Sequence, residues 1–120
     1  MTKQVGQINQ RVIYLLKLNI ESGTPIYLGD SNIKHMLLSH PDDYNKYKDK
    51  ITDIINSPEY VGINPKDQSI EYVKTFSVEN KSVKVAIRVS SSGVHFARTL
   101  YARDISKVDK FIQKGYLVKY

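Results

Sequence analysis

Three apolar-rich runs follow one another in the second half of the chain and are separated only by short turns. They read SIEYVKTFSV, SVKVAIRVS and GVHFARTLYA, and the segments between them contain Asn-Lys and Ser-Ser-Gly. Runs rich in β-branched and aromatic residues and bounded by turn residues are typical of β-hairpins. The three runs therefore predict an antiparallel meander, which makes a sheet the centre of the fold.

Helical patterns flank the meander. The clearest is DDYNKYKDKITDIIN, in which two aspartates in the first turn are followed by an apolar stripe. Helices first, then a consecutive antiparallel sheet, then a helix predict an α+β domain: N-terminal helices on a four- to five-stranded antiparallel sheet, with a C-terminal helix. At 120 residues, a single domain over 1–120 is expected. The stripe consists of Tyr44, Tyr47, Ile51, Ile54 and Ile55.

The remaining segments predict shorter elements. Residues 6–20 carry apolar side chains at helical spacing, so 1–23 is predicted as an N-terminal helix or extension, although an alternating pattern keeps a strand open there. The other predictions are a strand over 25–28, a helix over 32–40 capped by Asp30 or Ser31 and ended by Pro41, a strand over 59–64, a helix over 104–115 with Gly115 as its stop, and an edge strand over 116–120.

Composition excludes several kinds of protein. The chain has no cysteine, which excludes disulfides and thiolate metal sites. The longest apolar run near the start, residues 12–16, is too short for a signal peptide or a bilayer span. We therefore expect a cytoplasmic protein without a membrane partner, with export by a dedicated system left open.

The positive charge is concentrated in the last third of the chain. The net charge is +6, and residues 81–120 hold nine Lys and Arg against two Asp, a balance of +7, which leaves −1 for the first eighty residues. A one-sided basic surface attracts polyanions, above all nucleic acid. The alternative is a surface whose charge serves solubility.

Side-chain alternation decides which residues of the last hairpin share a face. Val83, Val85 and Ile87 mark the core side of its first strand. An even loop places Phe96 and Leu100 beside these residues, and an odd loop places them beside the lysine and arginine of the first strand. Burial favours the even loop. The polar face then carries Lys84, Arg88, His95, Thr99 and Tyr101, with Ser90 beside the loop, whereas Arg98 falls on the apolar side, at a bulge, at the sheet edge or with a snorkelling stem.

This predicted polar face has the chemistry of a phosphate site. Cross-strand neighbours lie ~5 Å apart and diagonal neighbours ~7–8 Å apart. Two cations, an imidazole, a hydroxyl and a phenol at such spacing suit a phosphate, because arginine offers its oxygens a planar fork. The alternative is an ordinary solvated face of an antiparallel sheet.

Two histidines lie in NIKHMLLSHP. His35 and His40 are five residues apart and point about 140° away from each other around a helix, which argues against two ligands of one metal. Neither a cysteine nor a paired carboxylate completes a metal site, so we expect no metal and no cofactor. Each histidine also has a structural alternative, as a surface or core residue, or, for His40, as a cation near a helix C-terminus.

Three segments together resemble a known family. They are PIYLGDSNIKHMLLSHP, INSPEYVGINPKDQSIEYVK and VAIRVSSSGVHFARTLY. In order and spacing they are similar to the phage-associated members of the barnase–EndoU–colicin–RelE-like nuclease superfamily, over most of residues 24–120. The most specific pieces are the His-x4-His-Pro helix end, the SPEYVG bend and the final Arg-Thr-x-Tyr strand.

The resemblance implies one or two helices on an antiparallel sheet of four or five strands, and a metal-independent ribonuclease, often a toxin or mobile-element effector. RNA is then the expected partner, together with a cognate inhibitor or immunity protein. The residues that match the family's catalytic positions are His35, which ranks first, or His40, and Arg88, Thr99 and Tyr101. We assign substrate binding to Lys84, Ser90, His95 and Arg98.

Cleavage of RNA without a metal requires a base for the ribose 2′-OH, cations for the phosphorane and an acid for the 5′-oxygen. A histidine serves as base or acid, and Arg88 with Lys84 holds the phosphate. Tyr101 hydrogen-bonds the phosphate, donates a proton or stacks on a base, and Thr99 orients a phosphoryl oxygen. Two alternatives remain open. One is a non-catalytic nucleic-acid-binding domain that stacks bases on Tyr60, Tyr72 or Tyr101. The other is a protein-interaction module with an acidic partner.

Overall fold

The structure, a computed structural model, describes residues 2–120. These residues form seven strands, five α-helices and two 3-10 turns in a mixed α+β arrangement. In chain order the elements are β1 (Lys3–Ile8), α1 (Gln10–Leu16), β2 (Thr24–Leu28), α2 (Asp30–Ser39), α3 (Pro41–Tyr47), a 3-10 turn (Lys48–Lys50), α4 (Ile51–Asn56), β3 (Tyr60–Ile63), β4 (Ile70–Phe76), a 3-10 turn (Ser77–Glu79), β5 (Lys81–Val89), β6 (His95–Asp104), α5 (Ile105–Gln113) and β7 (Leu117–Lys119).

One sheet holds all seven strands in the order β1-β2-β6-β5-β4-β3-β7. The predicted meander is confirmed, because β4, β5 and β6 are consecutive antiparallel neighbours. The predicted edge strand is confirmed as β7. The prediction of four to five strands was too low, and the sheet is not purely antiparallel: β2 pairs in parallel with β6, with Ile26 beside His95 and Tyr27 beside Phe96.

The N-terminal segment differs from the prediction of a helix or extension. Its first half is strand β1, which pairs with β2. The chain turns at Asn9, whose side-chain oxygen accepts a hydrogen bond from the Val12 N–H at 3.0 Å and so caps α1. Asparagine is among the preferred N-cap residues, and this cap breaks the continuous helical pattern seen in the sequence. Ile8 and Val12 are fully buried, so both halves belong to the core.

The helices before the sheet differ in detail from the sequence pattern. Pro41 ends α2 as predicted, but its N-cap is Gly29 rather than Asp30 or Ser31, and the Gly29 N–H donates to Asn32 Oδ1 at 2.8 Å. The long helix over 42–56 is broken into α3 and α4 by the charged turn Lys48–Lys50, which buries no side chain. Its apolar stripe is buried as expected (Tyr44, Tyr47, Ile51, Ile54 and Ile55).

The sheet has two differently covered faces. The core face carries Val83, Val85 and Ile87, and buried side chains from α1 to α4 pack against it in one continuous cluster. On the opposite face, which we call the α5 face, Val108 of α5 packs with Val73 and Leu117 in a smaller cluster. None of the helices in residues 2–120 is long and apolar enough to cross a bilayer.

The β5–β6 hairpin corrects the predicted loop. Val89 pairs with His95 and Arg88 with Phe96, so residues 90–94 form an odd loop of five, and the even-loop prediction was wrong. His95 therefore lies on the core face and Phe96 on the α5 face, the reverse of the prediction, because one extra residue in the loop exchanges the faces of the strand that follows.

A bulge at Arg98 then restores the predicted register. Ala97 pairs with Ile87 and Thr99 with Ala86, which leaves Arg98 as the extra residue. A bulge at this arginine was one of the predicted explanations for its position. Beyond the bulge, the opposed pairs are Val85 with Leu100 and Lys84 with Tyr101. The register therefore places Lys84, Arg88, Thr99 and Tyr101 on one face of the sheet, as predicted.

Candidate active site

The ring of Tyr101 is the point on which the polar side chains of the α5 face converge. Lys84 Nζ lies 4.7 Å from the ring centroid, and the guanidinium carbon of Arg103 lies 4.9 Å from it. The ring of His40 stacks on the same phenol at 5.2 Å between centroids, with 28° between the planes. Two cations and an imidazole thus surround one tyrosine, and the face of the aromatic ring attracts the two cations.

Each of these side chains is positioned by a different feature of the fold. Lys84 and Tyr101 are directly opposed in the β5–β6 ladder, and Arg103 lies two residues further along the same face. His40 is the residue between α2 and α3 and precedes Pro41, so its backbone leaves the helical region. The Asp43 carboxylate of α3 accepts the Ala102 N–H at 2.9 Å, and this bond fixes the helix junction beside β6.

Glu71 adds a carboxylate that the sequence analysis missed. Its Oε2 lies 2.8 Å from Lys84 Nζ and accepts a hydrogen bond from Asn64 Nδ2 at 3.3 Å. Glu71 is only 7% exposed, between Ile70 and Tyr72 in β4. A carboxylate between two apolar residues of a predicted strand, Ile70 and Tyr72, was the available signal, because charged residues are almost never buried unless they are paired.

A cleft of about 290 Å³ opens beside this group. One wall is formed by Tyr101, Arg103 and Phe111, and the other by the β3–β4 turn. Lys84 Nζ and the Arg103 guanidinium carbon each lie 5.7 Å from the Phe111 ring centroid, so both cations stand at the base of α5. The lining of the cleft also includes Tyr116, and the β3–β4 turn contributes Asn64 and Lys66.

Other predicted site residues lie farther from Tyr101. Arg88 is half-buried on the same face but four positions along β5 from Lys84, a separation of ~13 Å at strand geometry. Arg88 lies near Asp67: hydrogen bonds from Ser69 lower the pKa of that carboxyl, and the charge of Arg88 adds to the shift. Thr99 is half-buried opposite Ala86, and Arg98 is exposed at the bulge.

Three predicted residues are not brought to Tyr101. His35 is exposed on α2, and residues 2–120 give it no hydrogen bond, ion pair or ring contact. His95 lies on the core face, where its Nδ1 is buried without a hydrogen-bond partner in the described chain and burial lowers its pKa. The Ser90 hydroxyl accepts the Val94 N–H at 3.2 Å and bonds the Ser92 hydroxyl at 2.9 Å, and both bonds close the hairpin loop.

Within the part of the chain that the structure describes, no three His, Asp or Glu side chains are grouped so that they could hold a metal ion. The ionisable groups around Tyr101 are two cations, one imidazole and one carboxylate. They can bind an anion and transfer protons.

Comparison with known proteins gives one match. A family model described as phage-Barnase-EndoU-ColicinE5/D-RelE like nuclease3 matches residues 3–110. The match includes His40, Glu71, Lys84, Tyr101 and Arg103. No curated protein and no solved structure matches the chain significantly.

Proposed function

This chain belongs to the phage-Barnase-EndoU-ColicinE5/D-RelE like nuclease3 family, and on that premise we propose that it is a metal-independent endoribonuclease with its active centre around Tyr101. The observation that carries the proposal is the convergence of His40, Lys84 and Arg103 on one phenol, with Glu71 held against the lysine. The family and the basic C-terminal third make nucleic acid the substrate class. A role as a toxin or mobile-element effector is part of the same proposal.

The proposed reaction is an internal transesterification. The ribose 2′-oxygen forms a bond to phosphorus while the bond from phosphorus to the 5′-oxygen breaks. The Glu71 carboxylate accepts the 2′-OH proton, and the His40 imidazolium donates a proton to the leaving 5′-oxygen. The products are a 2′,3′-cyclic phosphate and a free 5′-hydroxyl, and each proton-transfer group contributes about 10²–10⁴ in rate.

The two cations beside Tyr101 provide the charge that this reaction needs. In the proposal, Lys84 and Arg103 bind the non-bridging phosphate oxygens and stabilise the negative charge that builds on the phosphorane. The Tyr101 hydroxyl donates a hydrogen bond to the same oxygens. Arg88 and Thr99, farther along the face, bind a neighbouring nucleotide rather than the reacting one. The Glu71–Lys84 ion pair at 2.8 Å holds the base and one cation in register.

His40 takes the catalytic role for which the sequence ranked His35 first. The reason is geometric, since the His40 ring stacks on Tyr101 whereas His35 is exposed and has no hydrogen bond, ion pair or ring contact within the described residues. His35 therefore serves as a matched control: the same residue type, in the same helical segment, outside the proposed centre.

The test is to incubate the purified protein with single-stranded RNA in EDTA and to identify the ends of the fragments. We expect 2′,3′-cyclic phosphate ends, resistance of 2′-O-methyl RNA and of DNA, a loss of about 10²-fold or more for His40→Ala and near wild-type cleavage for His35→Ala. Circular dichroism checks that both variants fold. Cleavage of DNA, or equal losses in the two variants, contradicts the proposed centre.

The same assay separates the alternatives. RNA binding without cleavage by the wild type, unchanged in His40→Ala, supports a non-catalytic nucleic-acid-binding domain. Binding to an acidic protein in the absence of RNA binding supports an interaction module. An acidic inhibitor or immunity protein remains a proposed partner of the nuclease, since such a protein would be attracted by the same cations.

A further inference from the structure

A row of lysines runs along one side of α5. Lys107 and Lys110 in α5 and Lys114 at its C-terminal cap are exposed and fall within an arc of about 60° around the helix. Residues 2–120 offer none of the three a salt bridge. By contrast, both lysines of β5 are ion-paired: Lys81 with Asp104 and Lys84 with Glu71. We call the first three residues the α5 ridge.

The α5 ridge borders the proposed active centre. Helical geometry places Phe111 between the packed side of α5 and the ridge, and Phe111 reaches toward Lys84 and Arg103. The acidic residue of this helix, Asp109, lies on the opposite flank, where it lines a separate cleft with Glu59. Positive charge therefore continues from Arg103 along one flank of α5, where the Asp104 carboxylate near Lys107 is paired with Lys81, and Asp109 lies on the other flank.

An exposed aromatic ring, that of Tyr116, lines the same cleft. Tyr116 is 41% exposed, and its ring centroid lies 6.5 Å from that of Phe111. The backbone approach that holds it there depends on Gly62, because a Cβ at that position would lie 1.9 Å from the Tyr116 carbonyl oxygen. The fold thus holds an accessible tyrosine beside a basic helix.

We propose that the α5 ridge and Tyr116 form a subsite for single-stranded RNA beyond the scissile phosphate. Evenly spaced cations suit a phosphate backbone, and an exposed tyrosine stacks on a base of any sequence. The strand must be unpaired, because a base inside a duplex cannot stack on a side chain. The cleft, at about 290 Å³, is close to the lower end of the 300–1,000 Å³ typical of ligand pockets and suits about one nucleotide.

This proposal rests on the proposed function for its biological meaning, but its test does not need catalysis. The probe is a fluorescent 2′-O-methyl RNA decamer, which the proposed reaction cannot cleave, titrated by anisotropy at several salt concentrations. The test variant combines Lys107→Gln, Lys110→Gln and Lys114→Gln. The matched control combines Lys34→Gln, Lys48→Gln and Lys50→Gln, which removes the same charge from exposed positions on other helices and turns.

Loss of three phosphate contacts should reduce the salt slope of log K by about 2, at about 0.7 per contact for a single strand. We expect tenfold or more weaker binding for the ridge variant and less than threefold for the control. Equal losses of affinity in the two variants overturn the subsite, because they indicate that RNA is attracted by the overall positive charge of the protein rather than by the α5 ridge. If the ridge variant alone loses binding while the wild type never cleaves RNA, the subsite stands and the nuclease proposal fails.

Tyr116→Leu tests the stacking half of the subsite. It should weaken binding of the single-stranded decamer by about 5- to 150-fold, as expected for loss of one stacked base at about 1–3 kcal/mol. It should leave binding of the matching duplex unchanged. Equal affinity of the wild type for single strand and duplex, or an equal loss for both in Tyr116→Leu, overturns the single-strand assignment.

Discussion

The β5–β6 hairpin has two halves, one on either side of Arg98, that contain similar residues but have different surroundings. In the half near the loop, Arg88 opposes Phe96 and Val89 opposes His95. In the half beyond the bulge, the ladder pairs Lys84 with Tyr101 and Val85 with Leu100. The second half gathers a carboxylate and an imidazole from other elements, namely Glu71 from β4 and His40 from the α2–α3 junction. In the first half, Arg88 lies near the Asp67 carboxylate of the β3–β4 turn.

The difference shows that a bulge separates two registers within one strand. Because Arg98 is an extra residue in β6, simple alternation along the strand does not show which residues before and after it share a face. Each half contains an arginine on the α5 face, Arg88 near the loop and Arg103 beyond the bulge, so the sequence alone does not distinguish the two halves. A phosphate site, however, needs several polar groups within reach of one phosphate. The half beyond the bulge gathers His40, Lys84 and Arg103 around Tyr101, which is why we propose that the reacting phosphate binds there.

The largest expected effect separates the cations of the two halves. Lys84→Met should lower the rate of RNA cleavage by about 10²–10³-fold, because a group that stabilises transition-state charge is removed. Arg88→Met should lower it by less than about tenfold, since Arg88 lies ~13 Å along the strand. Single-turnover cleavage at saturating protein measures both.

Lys84→Arg serves as the control for charge and should recover part of the activity. Lys84→Met also leaves Glu71 unpaired in a buried position, so the folded fraction has to be measured by denaturation before the rates are compared. A loss of cleavage rate in Arg88→Met equal to that in Lys84→Met would indicate that the reacting phosphate binds at the half of the hairpin near the loop.

A second contrast concerns the apolar partners of the same two halves. Leu100 is fully buried on the core face, and Leu100→Ala should lower the free energy of unfolding by about 3 kcal/mol. Phe96 is half-buried on the α5 face beside Tyr27, at 6.4 Å between ring centroids. Phe96→Ala should cost about 1 kcal/mol, since less apolar surface is lost. Urea denaturation measures both, and equal costs would favour the even-loop register.

The β4–β5–β6 meander and the core side of β5 could be predicted from the sequence, because short turns link the three strands and burial imposes a strict alternation on a half-covered strand. The loop length could not be predicted, since an odd loop followed by a bulge leaves the same apolar pattern beyond Arg98 as an even loop without one. Strand β1 was also missed. Its short alternation merges with the helical spacing of α1, and only the Asn9 cap separates the two elements.

The candidate site could be predicted only in part, for a similar reason. Lys84 and Tyr101 follow from the hairpin alone, whereas Glu71 and His40 reach the site through tertiary packing. Which histidine lies beside Tyr101 depends on where the α2–α3 junction lies against β6, and the hydrogen bond from the Ala102 N–H to Asp43 fixes that position. No local pattern in the sequence encodes that contact.

A smaller effect is expected from His95, the residue of the loop half that faces the core. Burial lowers its pKa from the ordinary 6.5, so the unfolded chain binds a proton more readily than the folded one. The stability that the neutral ring contributes is complete above pH 6.5 and is lost as the pH falls below it. His95→Gln should therefore flatten the pH dependence of the unfolding free energy between about pH 7 and pH 5. An unchanged slope in this variant would show that the protein does not hold His95 in its neutral form.

The smallest effect, and the most direct test of the comparison, is expected from deleting Arg98. Because Ala97 stays opposite Ile87 and Thr99 opposite Ala86, the deletion closes the bulge without moving any side chain to the other face. The unfolding free energy should change by no more than about 1 kcal/mol, since Arg98 is exposed. Deletion of Ala86 is the matched control: it removes a paired residue, forces Val85 off the core face and should unfold the domain. If β6 instead ran without a bulge, deleting Arg98 would turn over one half of the strand, and this variant would unfold like the control.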